Sequence, residues 1–290
     1  MTYHLRVYDN YHYADESEAY DHGSYSTYDE AERAAKKIVD EFLEQNWQRG
    51  MKPGILLANY ALFGEDPIIL PNDQPNSKRF SGSTYAEESA KLICQRLEAE
   101  HARNEVQTVY QNAIRFASLK HQEKNQQVLG TNLPYVVHLS NVAMEILIAA
   151  QNTNKFNLLF AAQVALLHDT IEDTDTNYEE LKKEFGKDVA NAVLALSKDK
   201  NLSKEEKLLD SINRIKKQPK EVWAVKLADR ITNLQPAPKE WTLEKRKQYV
   251  KDAEYILEEL GAGNDYLATR LAAKISEYRN QNKEYLMDGI

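Results

Sequence analysis

The sequence predicts a mainly α fold: an all-helical domain over residues 105–290 preceded by a small α+β domain over residues 1–100. Three observations lead there. From about Glu105 onward, apolar residues recur three and four apart in one segment after another, the pattern of helices with a buried face. Gly, Pro or short polar runs punctuate these segments. Before that point tyrosine and β-branched residues cluster as they do in strands. A chain of 290 residues, 42% hydrophobic, can fill one large or two modest packed domains.

In the first domain, Tyr3 to Tyr13 reads as β-rich, and its tyrosines suit strand packing. Thr27 opens a helix, because Glu30 stands where it closes a capping box. Ala31, Ala34, Ala35, Ile38, Val39, Phe42 and Leu43 follow at helical spacing. Pro53-Gly54 breaks the chain. Ile55 to Phe63 and Ile68 to Leu70 are expected as strands, Asn72 to Ser83 as loop, and a helix from Ser83 or Thr84 to about Ala102. In the second domain helices are expected near 105–124, 134–152, 156–171, 178–196, 204–217, 220–234, 242–260 and 264–282. Breaks fall at Gly130, Asn132 to Pro134, Asp173 to Asn177, Gly186, Pro219, Pro236 to Pro238 and Gly261 to Gly263.

Composition narrows the function. A single cysteine, Cys94, excludes an intrachain disulfide and a cysteine-based zinc cluster, and a reducing cytoplasm fits it. The start lacks the basic and apolar runs of a secretory signal. The most apolar stretch, Leu158 to Leu167, is too short to span a bilayer, so no membrane partner is expected. A net charge of −8 repels a nucleic-acid polymer. A small anionic nucleotide stays compatible, because a cation with a few Lys and Arg side chains reverses the potential inside a pocket.

The segment Leu166-Leu167-His168-Asp169-Thr170-Ile171-Glu172-Asp173-Thr174 carries the chemistry. Its His-Asp pair ends an apolar helical run, so polar ligands sit at the edge of a core. His138, in Pro134-Tyr135-Val136-Val137-His138, and Asp229, in Lys226-Leu227-Ala228-Asp229-Arg230, rise from similar apolar stretches. An unpartnered carboxylate in such a stretch is costly, and a cation supplies the partner. Two imidazoles and two carboxylates suit a divalent metal, with Mn²⁺ a good match for mixed nitrogen and oxygen donors. Such an ion activates water and polarises phosphorus, and Glu172 or Asp173 stands ready to take the proton. The expectation is metal-assisted hydrolysis of a phosphate or pyrophosphate bond.

Residues 110–260 resemble the His-Asp hydrolase domain of the RelA/SpoT alarmone family and its small single-domain relatives. The matching pieces are Ala113 to His121, Pro134 to His138, Ala165 to Thr174, Phe185-Gly186 with Val189-Ala190, and Lys226 to Arg230 through Asn233-Leu234. The resemblance implies an all-helical domain holding one Mn²⁺, with His138, His168, Asp169 and Asp229 as ligands and Glu172 and Asp173 activating water. It places Asn233 against the nucleotide. Arg230 and Lys124 are further candidates for binding substrate phosphates. The implied reaction is loss of the 3′-pyrophosphate from ppGpp or pppGpp. Two positions depart from the family pattern: Leu129 stands where an Arg that stacks on guanine is expected, and Gln235 where an Arg often follows the Asn. Those departures leave open hydrolysis of another nucleotide or phosphoester, and a metal-bound but non-catalytic module is a separate alternative. Residues 1–100 fall outside the resemblance, and through them a protein partner or self-association is expected.

Overall fold

The computed structural model describes residues 1–12, 16–71, 74–75, 79–238 and 240–282. Tyr13 of the expected first strand, and Asn72, Asp73, Asn76, Ser77 and Lys78 of the expected loop, lie outside them. The chain divides into two units, Met1–Asn104 and Glu105–Ile290.

In the first unit β1 (Tyr3–Asp9) pairs antiparallel with β2 (Tyr20–Tyr25) on one side and β3 (Glu65–Leu70) on the other. Alternate β1 residues Tyr3, Leu5 and Val7 are buried, and α1 (Tyr28–Asn46) covers that face with Ala31, Ala35 and Ile38. The capping box at Thr27 and Glu30 is formed. Tyr3 packs edge-on against Tyr28, with ring centroids 5.6 Å apart. β2 was not anticipated, because none of its residues is buried and its sequence lacks apolar alternation; backbone bonds to β1 hold it.

One expectation is corrected here. Ile55 to Phe63 is no strand but belongs to α2 (Pro53–Phe63). Pro53 at the first helical position suits a helix start, and the buried residues, Leu56 and Tyr60, lie four apart rather than alternating. A short apolar run carries too little periodicity to separate the two structures. The two helices expected before and after residue 104 are one, α3 (Gly82–Glu123), since His101 to Glu105 contains neither Gly nor Pro to break it.

Among its described residues the second unit contains helices and the loops between them, with one isolated bridge between Gln127 and Pro134. Its core gathers the end of α3 through Ala113 and Ala117, α4 (Val136–Gln151), α5 (Leu158–Leu167) and α10 (Lys220–Asn233). Every residue from Val164 to Leu167 is buried, which is why this stretch shows no amphipathic stripe. A one-turn α6 (Thr170–Asp173) follows α5. Next come α7 (Tyr178–Phe185), α8 (Lys187–Leu196) and α9 (Lys204–Ile215). The helices α11 (Leu243–Leu260) and α12 (Asp265–Gln281) close the unit against α10. Among the described residues no helix is long and apolar enough to cross a membrane.

The span 178–196 is split at the break expected at Gly186, whose φ of +88° and ψ of 165° are essentially reserved for glycine. Gly186→Ala should therefore destabilise the protein by about 1–3 kcal/mol although its new Cβ meets nothing within 4 Å. Gly54→Ala, on the open side of α2, should instead stabilise by about 0.5 kcal/mol. Denaturant unfolding of the two variants reads the opposite signs.

Candidate metal centre

α5 ends in a way that turns His168 and Asp169 inward. His168 Nδ1–H donates to the carbonyl of Ala165 at 2.8 Å, and the Thr170 hydroxyl donates to that of Leu167 at 2.7 Å. These side chains take carbonyls at the helix end. Asp169 then adopts φ −100°, ψ 0°, and α6 starts afresh. Because Nδ1 is the donor to Ala165, Nε2 is the ring nitrogen left for a proton or a cation.

That nitrogen meets the other candidates. His138 Nε2, from α4, is 3.4 Å from His168 Nε2. Asp229 Oδ1, from α10, lies 3.5 Å from His138 Nε2 and 3.7 Å from His168 Nε2. Asp169 Oδ2 is 2.9 Å from His168 Nε2 and 3.8 Å from His138 Nε2. Ligand atoms of His138, His168 and Asp229, all three buried, fall within 4.8 Å of one another. His138 Nδ1 faces the Thr232 oxygen at 3.5 Å, and that hydroxyl donates to the Asp229 carbonyl at 2.9 Å.

The donor set fits a cation. Two nitrogens and a buried carboxylate oxygen crowd one spot with the partly exposed Asp169 at its edge, and such lone pairs repel unless positive charge lies among them. Burial works against charge on His168, yet Asp169, aided by Asp229, outweighs it and raises the imidazole to about 10. Burial raises both carboxyls as well, but His168 pulls Asp169 down, and Lys226 with the two imidazoles pulls Asp229 well below its usual range. The spot attracts a proton where it would equally take a divalent ion.

Hydrogen-bond donors from neighbouring side chains hold the carboxylates. The Tyr135 hydroxyl donates to Asp169 Oδ2, and Lys226 Nζ donates to Asp229 Oδ2 at 2.9 Å. Asn233 gives its amide N–H to Asp229 Oδ1. Tyr135 stood within the Pro-Tyr-x-x-His piece, so its place was visible although its partner was not. Glu172 accepts from both the backbone N–H (2.9 Å) and Nζ (3.0 Å) of Lys198. Asp173 accepts from Gln126 at 2.8 Å, and burial with nearby Asp169 pushes its carboxyl up. Arg230 lies over the Tyr249 ring at 4.7 Å, and its buried Nε and Nη1 have no hydrogen-bond partner. Lys124 pairs with Asp175 at 2.6 Å.

A family model described as "HD domain" matches residues 113–265. A guanosine-3′,5′-bis(diphosphate) 3′-pyrophosphohydrolase of Drosophila melanogaster is 32% identical over 166 residues, spanning 56% of this chain and 90% of that protein. A protein of the same activity name from Aquifex aeolicus is 33% identical over 147 residues, 49% of this chain and 19% of the longer relative. A solved structure described as a metazoan ortholog of SpoT that hydrolyses ppGpp is 31% identical, with 60% of this chain and 95% of that one covered and a TM-score of 0.49.

If Tyr135 orients Asp169 toward the cation, Tyr135→Phe should weaken divalent-metal affinity roughly 10-fold while His168→Ala abolishes stoichiometric binding. Titration of metal-stripped protein with Mn²⁺ measures both.

Proposed function

We propose that this chain, which belongs to the HD-domain family, is a metal-dependent phosphohydrolase that removes the 3′-pyrophosphate from ppGpp or pppGpp. One observation carries the reading: the Nε2 atoms of His138 and His168 each lie 2.9–3.8 Å from an oxygen of both Asp169 and Asp229, on the chain that also bears Glu172 and Asp173. The activity named for relatives with which the chain shares about a third of its aligned residues supports the substrate.

His138, His168, Asp169 and Asp229 would hold the ion, and Mn²⁺ suits their mixed donors. When bound, such an ion lowers the pKa of a water and polarises the phosphorus centre. The rest falls to side chains. Asp173 takes a proton of the attacking water as the water oxygen bonds to phosphorus; the bond from phosphorus to the ribose 3′-oxygen breaks, and that oxygen leaves as a hydroxyl with a proton from solvent. Glu172, held on both oxygens by Lys198, orients that water and keeps the ammonium beside the transferred group. Arg230 has two guanidinium nitrogens without partners and supplies them to phosphate oxygens. Asn233 and Lys124, expected at the substrate, would exchange Asp229 and Asp175 for it.

A second reading keeps this chemistry and changes the base. Leu129, 64% exposed, lines a cavity of about 260 Å³ with His138, Trp241 and Tyr249, and provides no guanidinium to stack on guanine.

Mn²⁺-loaded protein given ppGpp and a panel of other nucleotides should release pyrophosphate from ppGpp fastest; faster turnover of another nucleotide selects the second reading. Asp169→Ala should lose both metal and activity. Glu172→Ala should keep metal and lose turnover by about 100-fold or more. Wild-type turnover by both variants would show the mechanism to be wrong.

A further inference from the structure

Gln126 lies in no motif, yet the structure builds a turn to place it. α3 ends at Glu123, and Asn125, at φ +51°, reverses the chain. The Gln126 backbone is fixed at both ends: its N–H donates to the His121 carbonyl at 3.1 Å, and its carbonyl accepts from the Tyr135 N–H at 3.2 Å. Its side chain bridges two groups. Nε2 donates to Asp173 Oδ2 at 2.8 Å, and Oε1 meets His121 Nδ1 at 2.6 Å.

Donor logic orders this bridge. An ionised carboxylate only accepts, so Gln126 must present its NH₂ to Asp173 and its oxygen to His121. His121 must then carry its proton on Nδ1. The ring is 1% exposed, its Nε2 has no hydrogen-bond partner, and it packs on Tyr135 with centroids 4.7 Å apart. The tautomer and the amide orientation therefore fix each other. Protein crowds the Asp173 carboxyl on one side, yet the residue reaches solvent, and its Oδ1 makes no hydrogen bond to the described residues.

We propose that Gln126 is a positioning residue for hydrolysis. With His121 behind it, Gln126 clamps one oxygen of Asp173 so that the other faces the attacking water. The assignment rests on the phosphohydrolase reading above, and Gln126 acts through Asp173 rather than on substrate or metal. Glu172 is clamped differently, on both oxygens by Lys198, so the two acids are held by independent devices.

The test is Gln126→Met in the full chain, which keeps length and removes both hydrogen bonds. With ppGpp and Mn²⁺, kcat should fall roughly 10- to 100-fold, while KM and Mn²⁺ affinity stay within twofold of wild type. Gln126→Glu retains an acceptor for His121 but turns a second carboxylate on Asp173; it should lose kcat alike and serves if the Met variant does not fold. NMR of the His121 ring should show the Nδ1–H tautomer in wild type and a mixture in Gln126→Met. A raised KM with kcat retained would make Gln126 a substrate contact. Unchanged kinetics, a parallel loss of metal affinity, or a wild-type Nε2–H tautomer would each overturn the assignment. An inert wild type with every nucleotide tried overturns the phosphohydrolase reading and this one with it. Wild-type turnover matched by the variant overturns this one alone.

Discussion

The structure around the site depends on one electrostatic constraint: two imidazole nitrogens and two carboxylate oxygens share a pocket of the apolar core where each alone would be costly. They come from α4, the end of α5 and α10, the helices that pack together to form that core. Bringing them together is thus a by-product of burying Leu139, Val142, Leu166, Leu167, Val225 and Leu227. The apolar packing supplies the precision, and the polar atoms tolerate one another only through compensating charge.

The break between α5 and α6 separates neighbours in sequence into different tasks. His168 is tied to the Ala165 carbonyl, Asp169 receives the Tyr135 hydroxyl, and Glu172 and Asp173 face separate supports in Lys198 and Gln126. An uninterrupted helix would have stacked residues 168 with 172 and 169 with 173 on shared faces. The Thr170 hydroxyl on the Leu167 carbonyl helps to end the first helix.

Much of this was legible in the chain. The helices of the second unit follow from breaks at Gly and Pro, and the structure adds a capping box at Ser203 and Glu206. The His-Asp segment, His138 and Asp229 stood out because polar residues inside apolar stretches need partners. What stayed hidden was whatever depends on tertiary placement. Gln126 and Thr232 carry no local signal, since a glutamine in a polar turn looks like any other until the turn is folded. α2 was misread because Ile55 to Phe63 is apolar along most of its length, and β2 was missed because an edge strand bonded through its backbone needs no apolar pattern.

The buried pair of Lys226 and Asp229 bears on how the protein comes to be loaded. Its ammonium already balances one of the carboxylates, so the helices can assemble without waiting for an ion to cancel that charge. The same ammonium draws electron density from a prospective ligand and softens its grip. The carboxylate of Asp229 thus has a partner of its own within α10, and the burial of that helix rests on the chain's own charges.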